Sequence, residues 1–282
     1  MTPFSLPASA KINLSLRVLG KRADGFHEID TLMVKLPGLA DQLQFSPADS
    51  FSFSCDDPSL PTDEQNLVVK AAQAFAVAAR PSVQCRISLT KHIPHAAGLG
   101  GGSSDAATTL IGLNRLSGEP LGAEQLASVA AGLGSDVTFF LAAGAARCSG
   151  RGEIVQPAAS PPPLPVLLLK PAFGVDTASA YGRWENSRAI PGIGYSEQSH
   201  AALTFINDLE RPVFEKFIFL AELKQWLLHR TEVAAAVLCG SGSSLLAILH
   251  QLDDADAVIA AARHELDPTL WAWYGTTEGE PQ

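Results

Sequence analysis

Residues 98–104 read Gly-Leu-Gly-Gly-Gly-Ser-Ser, four glycines and two serines in seven positions, between a segment that alternates like a strand and one spaced like a helix. Few folds tolerate such a run. Glycine is costly inside regular structure, so a cluster of it marks a place where the backbone itself must turn sharply or come close to something. Without β-carbons, Gly98, Gly100, Gly101 and Gly102 can turn successive N–H groups toward one point. A helix starting at Ser103, Ser104 or Asp105 would add its unpaired N–H groups and its dipole to the same point, which makes an anion site. The alternative is a tight strand-to-helix turn and nothing more, but a turn rarely needs four glycines. Other phosphate loops fit poorly. Serine rather than Lys-Ser or Lys-Thr follows the last glycine, which excludes a P-loop. Ser103 also stands where a dinucleotide fingerprint starting at Gly98 needs glycine or alanine. No protein-kinase HRD or DFG-like set occurs.

The rest of the chain supplies strands and helices for this loop to join. In "SAKINLSLRVLG", Ile12, Leu14, Leu16 and Val18 alternate with Lys11, Asn13, Ser15 and Arg17, which predicts a half-buried strand with Lys11 and Asn13 on one face. Asp24-Gly25 then signals a turn and "FHEIDTLMVKL" a second strand, together a β-hairpin. "NLVVKAAQAFAVAA" is spaced as a helix and "VQCRISLTKHI" as a strand. After the glycines, Leu110, Leu113 and Leu116 mark a helix face, and "AEQLASVAAGLG" predicts a helix ended by Gly132 or Gly134. Six prolines between Pro157 and Pro171 mark the best domain boundary, giving domains 1–156 and 157–282. Beyond them "VLLLK" reads as a buried strand and "VFEKFIFLAELKQWLLHR" as one amphipathic helix. "VAAAVLC" and "SLLAIL" read as strands around a second glycine loop, Gly240 to Ser244, and "DADAVIAAARHEL" as a helix. The pattern is α+β without internal repeats, and the tail "GTTEGEPQ" is expected to be disordered.

Composition excludes several classes. With 20 basic against 29 acidic residues and a formal charge of −9, no basic face is available for a nucleic-acid backbone. Cys55, Cys85, Cys148 and Cys239 form no CxxC pair and read as buried thiols of a reducing cytosol rather than disulfides or zinc ligands. Lys11 and Arg17 interrupt the first twenty residues, and no apolar stretch approaches a membrane span, so a cytoplasmic protein without membrane contact is expected.

"PHAAGLGGGSS" resembles the phosphate-binding motif of the GHMP small-molecule kinases, and "PASAKINLSLRVLGKRADGFHEI" and "LCGSGSS" resemble that family's first and third motifs. "NLVVKAA", "LGSDVTFFL" and "NDLE" agree in order, so the resemblance spans roughly residues 7 to 245. It implies a two-domain fold, the first domain with a left-handed βαβ unit and the second ferredoxin-like. It also implies an enzyme using ATP and Mg2+, the ion arriving with the nucleotide. Within the family the motifs are most similar to a branch that phosphorylates the 2-hydroxyl of a cytidine diphosphate methylerythritol in non-mevalonate isoprenoid synthesis. A monomer or weak homodimer is expected.

The same resemblance assigns residues. Asp136 becomes the base that accepts the substrate hydroxyl proton and Lys11 its charged partner, although Asp136 alone reads equally well as a helix cap. Pro94, Gly98, Leu99, Gly100, Gly101, Gly102, Ser103 and Ser104 fall on the ATP phosphates; Asn66, Leu67 and Lys91 fall at the nucleotide base. Asn13, Phe26, His27, Thr177, Tyr181, Gly240, Ser241 and Gly242 fall on the second substrate, with Phe26 and Tyr181 stacking on cytosine and His27 reading its edge. Asp105 suits the helix dipole but would repel a phosphate, so it is expected to point away. The sequence departs from the family pattern at Phe26, commonly tyrosine, and at Thr138, where proline usually follows Asp-Val.

Overall fold

The computed structural model describes residues 2–79 and 84–277. Strands β1 (Phe4–Lys21) and β2 (His27–Pro47) form the expected hairpin, in register from Lys21↔His27 to Phe4↔Phe45. The polar face of β1 is not half solvated at Lys11 and Asn13 as its alternation suggests: both are buried, nearly as fully as Ile12 and Leu14. One face of β1 enters the core and the other forms a cavity wall. Next come β3 (Ser52–Cys55), α1 (Leu67–Ala79) and β4 (Cys85–Thr90), a βαβ unit whose strands pair in parallel, Ser52↔Arg86 to Cys55↔Leu89.

Helix α2 (Gly101–Leu116) follows the glycine run and starts earlier than predicted: Gly100, at φ 73°, is its cap, so Gly101 and Gly102 lie in its first turn. Helix α3 (Ala123–Leu133) stops at Gly134 as expected, and α4 (Val137–Leu141), β5 (Ala146–Gly150) and β6 (Ile154–Pro157) complete the first half.

The second half contains β7 (Pro165–Lys170), α5 (Thr177–Arg183), β8 (Gln198–His200), β9 (Leu203–Asn207), α6 (Glu210–Lys216), α7 (Ile218–Leu228), β10 (Val233–Leu238), β11 (Leu245–Leu249), α8 (Ala255–Glu265) and β12 (Trp271–Thr276). The single helix expected over 213–230 is two. At Phe217 the backbone leaves helical space (φ −123°, ψ 75°), and its ring stacks on Phe173 with centroids 5.2 Å apart. Apolar spacing continues across the break, so periodicity alone hides it. The tail is ordered further than expected, because Gly275 and Thr276 pair with Val166 and Pro165 on β7; residues 278–282 lie outside the described residues. Cys85, Cys148 and Cys239 are buried, whereas Cys55, at the end of edge strand β3, is only half-buried.

Two sheets result. The first runs β3-β4-β2-β1-β9-β8, with β5 on the far end of β2 and β6 beside β5; the second runs β10-β11-β7-β12, a ferredoxin-like order with helices on one side. Helices α1 to α4 pack on the first sheet around Phe45, Phe75 and Phe139. A separate core joins the sheets, with Ile12, Leu14 and Leu36 meeting Val166, Leu168, Leu246 and Ile248. Strands β8 and β9 come from the segment after the prolines yet belong to the first sheet, β9 pairing in parallel with β1.

Helix α2 lies close to this sheet because Gly112 has no side chain. A Cβ there would sit 2.2 Å from Phe45 Cζ, and Phe45 is fully buried. Gly112→Ala is expected to lower the unfolding free energy by about 1–3 kcal/mol through overpacking, read from the urea midpoint.

Candidate active site

A cavity of about 1040 Å³ opens between the hairpin tip, the glycine run, the start of α5 and the second glycine loop. Of the site residues expected from sequence, all but Ser104 and Gly242 stand on its wall. Ser104 is buried in α2, and a Cβ on Gly242 would meet Leu238 and Val175 rather than open space.

The glycines divide by task. Gly98 (φ 76°) and Gly100 (φ 73°) sit in left-handed backbone; a Cβ on Gly98 would fall 1.9 Å from Cys239 O, and one on Gly100 would fall 2.9 Å from both Lys11 Cγ and Phe140 Cζ. These two are required by close packing. Gly102 is different: a Cβ would meet only Leu67 Cδ1, at 3.5 Å. The first bond of α2 runs from Ser104 N–H to Gly100 O (2.9 Å), so the N–H groups of Gly101, Gly102 and Ser103 have no acceptor within the helix and lie on the cavity wall. That is the donor set of an anion site at a helix start.

Lys11 is threaded between the two loops. Its backbone N–H donates to Leu99 O (2.9 Å), its Nζ donates to Asn13 Oδ1 (2.8 Å), and Asp136 Oδ2 lies 3.4 Å away. Asn13 in turn donates to Thr31 Oγ1 (2.8 Å), which donates to Ser15 O (2.6 Å), so its amide is committed to holding Lys11. Asp136 occupies the cap position of α4 but makes no side-chain cap bond, and its carboxylate is about a third exposed to the cavity. Asn207, within "NDLE", donates to Leu238 O (2.8 Å) and Gly240 O (2.6 Å) and so fixes the second loop.

At the other end of the glycine run the expected base contacts have other duties. Asn66 caps α1, accepting from Val68 N–H (2.9 Å) and donating to Pro61 O (2.8 Å). Lys91 pairs with Asp41 and with Asp105 (3.0 Å to Oδ2), and Asp41 Oδ1 accepts N–H bonds from His92 (2.6 Å) and Ile93 (2.8 Å). Burial disfavours the Lys91 charge, but the two carboxylates outweigh it and raise its pKa. Asp105, expected to point away from the helix start, is buried and paired with Lys91, and it is one of the residues lining the cavity.

The hairpin tip carries an aromatic group. Phe26 is half exposed, with the Arg151 guanidinium 4.7 Å from its ring centre. His27 lies 5.4 Å from the Tyr181 ring, tilted by 32°, and 6.0 Å from Trp184 edge to face. Burial, helped by Lys21, lowers the His27 pKa, leaving a neutral ring with one donor and one acceptor. Burial and the charge of Asp136 raise that of the Tyr181 phenol. Thr177 and Ser241 share a hydroxyl hydrogen bond (2.7 Å), tying α5 to the second loop. Sequence reasoning missed Lys21, Arg151 and Trp184 at this end. The basic residues of "GKRADG" and "GRGE" beside glycine turns could have signalled Lys21 and Arg151, whereas nothing in the sequence around Trp184 marks it.

Residues 66–144 match the family described as GHMP kinases N terminal domain, and residues 196–267 match GHMP kinases C terminal. A 4-diphosphocytidyl-2-C-methyl-D-erythritol kinase of Methylacidiphilum infernorum is 40% identical over 269 residues, covering 94% of this chain and 93% of the relative. A crystal structure of 4-(cytidine 5'-diphospho)-2C-methyl-D-erythritol kinase superposes with a TM-score of 0.78 at 33% identity, covering 97% of this chain and 98% of that one. Homoserine kinase from Cytophaga hutchinsonii shares the fold alone, with a TM-score of 0.65 at 16% identity over 99% of this chain and 95% of that one. Both halves of the chain and nearly its whole length thus agree with the resemblance drawn from its motifs, and the chain belongs to the GHMP kinases, in the family of the 4-diphosphocytidyl-2-C-methyl-D-erythritol kinases.

Proposed function

We propose that the protein transfers the γ-phosphoryl group of ATP to the 2-hydroxyl of 4-diphosphocytidyl-2-C-methyl-D-erythritol, a step of non-mevalonate isoprenoid precursor synthesis. The observation that carries this reading is the Lys11–Asp136 pair on the same cavity wall as the glycine-started helix. Phosphoryl transfer asks the protein mainly for positioning and charge stabilisation. The N–H groups of Gly101, Gly102 and Ser103 hold the phosphates. Asp136 accepts the proton of the attacking hydroxyl, and the Lys11 ammonium orients it and offsets negative charge beside the acceptor. Asn13 positions Lys11 rather than reading the substrate by itself. Leu67, with Leu60 and Pro61 nearby on the wall, faces the nucleotide base.

Among the described residues no group of three His, Cys, Asp or Glu could hold a metal ion. Mg2+ would be carried chiefly by the polyphosphate and water beside the N–H groups of Gly101, Gly102 and Ser103, and would supply charge neutralisation to the phosphates. The cytosine is clamped at the far end by Phe26 and Tyr181, with neutral His27 reading its edge. Among the described residues no helix is long and apolar enough to cross a membrane. With a charge of −9, we infer a cytoplasmic protein, monomer or weak homodimer, with no nucleic-acid partner. The division into domains 1–156 and 157–282 belongs to the same reading.

Three predictions test the site. Gly102→Val projects into the cavity with room for the fold and is expected to weaken ATP binding by about tenfold in calorimetry; unchanged affinity would make the helix start purely structural. Asp136→Asn should lower turnover by about two orders of magnitude with ATP affinity kept. Adding Lys11→Ala to it should then cost far less than Lys11→Ala in the native protein, because the two act as a unit. Tyr181→Ala should weaken the cytidine substrate by about 1–3 kcal/mol and leave the constant for ATP nearly unchanged. Identity itself is decided by ADP release with the cytidine compound, homoserine and mevalonate in parallel. The first should react fastest, and a faster rate with either other alcohol overturns the assignment.

A further inference from the structure

Beneath the helix start lies a cluster that the phosphoryl transfer just described does not use. Asp41 on β2, Lys91 after β4 and Asp105 in α2 meet in the interior, two carboxylates sharing one ammonium. The two acids are not equivalent. Asp41 has donors on both oxygens, with Oδ1 taking two backbone N–H groups and Oδ2 taking Lys91. Asp105 has Lys91 on Oδ2, and among the described residues its buried Oδ1 has no hydrogen-bond partner. A bare, buried carboxylate oxygen is costly, and a proton on the carboxyl removes most of that cost. With all three groups ionised the cluster carries one net negative charge directly under the N–H groups assigned to the phosphates.

We propose that Asp105 is a protonated carboxyl whenever ATP is bound, and that this proton makes the start of α2 neutral enough to accept a polyphosphate. This rests on the reading of that helix start as the phosphate site and adds to it a buried carboxyl group paired with Lys91. Asp105 acts through charge: ionised, it opposes the helix dipole and the phosphates together; protonated, it leaves the Lys91–Asp41 pair neutral beneath them. Other charged and titratable groups near the cluster are Asp56, whose carboxylate accepts from Lys91 N–H, Asp57 and Cys55, which feel the Lys91 charge, and His92, His95, Lys70 on α1 and Lys11 on β1. Among the described residues the Asp105 carboxyl group takes a hydrogen bond from Lys91 and feels the charges of Lys91 and Asp41.

The geometry has a pH consequence with a definite sign. Burial, opposed by Lys91 and reinforced by Asp41, pushes the Asp105 carboxyl up to about 7. Below that value the cluster is already neutral and ATP binds without further protonation. Above it, binding must draw a proton from solvent, so affinity falls as pH rises.

Calorimetric titration with Mg2+-ATP from about pH 6 to about pH 8.5, on the native protein and on Asp105→Asn, tests this, the asparagine keeping shape and an acceptor for Lys91. Ionisation of ATP itself is common to both titrations and cancels in the comparison. The native protein is expected to lose about tenfold more affinity across the range than the variant. Superimposable pH curves overturn the proposal. Should the variant fail to fold, the native protein alone decides: near pH 7.5, titrations in two buffers of different ionisation heat should show protein-linked proton uptake on binding, and none overturns it. If the native protein binds no ATP at any pH, the phosphate-site reading itself falls, an outcome distinct from ATP binding with no proton uptake.

Discussion

Everything at this site depends on a backbone-to-backbone contact between two glycine loops. Gly98 approaches Cys239 so closely that no side chain could intervene, while the N–H groups of Ser243 and Ser244 donate to Ala96 O (3.3 Å) and Ala97 O (3.1 Å). The first loop belongs to the large sheet and the second joins β10 to β11 in the small one, so this contact sets the relation of the two halves. Lys11 follows from it. Its stem passes Gly100 and its ammonium lies against Gly240, so both loops must lack side chains for a buried lysine to reach the cavity. A buried ammonium needs acceptors, and Asn13 and Asp136 supply them.

Much of this was legible in the chain itself, for physical reasons that can be named. Strict alternation marked β1, and glycine density marked the start of α2, because both are local requirements of the backbone. What the glycines do individually was not legible. Gly98 and Gly100 answer to Cys239, Lys11 and Phe140, which are distant in sequence, while Gly102 faces the cavity. The break at Phe217 was hidden for the same reason, since the Phe173 ring that receives it lies 44 residues earlier (217 − 173). Strands such as β5, β6 and β8, three to five residues long, carry too few alternations to be seen. Lys91 illustrates the limit at the site: a lysine beside a nucleotide motif reads as a ligand contact, and only the fold shows two carboxylates claiming it.

The scaffold is shared with kinases of other small alcohols, as the homoserine kinase superposition shows at low identity. Differences in substrate must then reside in what the scaffold carries at its rim. In this chain the rim at the hairpin tip is unusually rich in rings and cations. Phe26 under Arg151 and His27 between Tyr181 and Trp184 join residues from the first hairpin, the β5–β6 turn and α5. The residues proposed to serve the phosphates and the proton stand elsewhere on the cavity wall, on β1, the glycine run and the start of α4. On the proposed reading, recognition and chemistry are mounted on different parts of the chain and can vary separately.

Strand β9 returns from the second half to lie along β1, with Ser15 opposite Ile206, and Asp208 receives both Val18 N–H (2.9 Å) and Arg17 across 191 residues of sequence. The polypeptide is thereby laced, leaving the large sheet after β6 and coming back to it before building β10. During synthesis β1 keeps this edge open until β9, which ends at residue 207, has been made. Such an edge invites pairing with other chains while it waits. The lacing that makes the finished enzyme one body thus transfers the risk to its synthesis, where a chaperone shielding β1 would have more to do than for a protein whose halves close in turn.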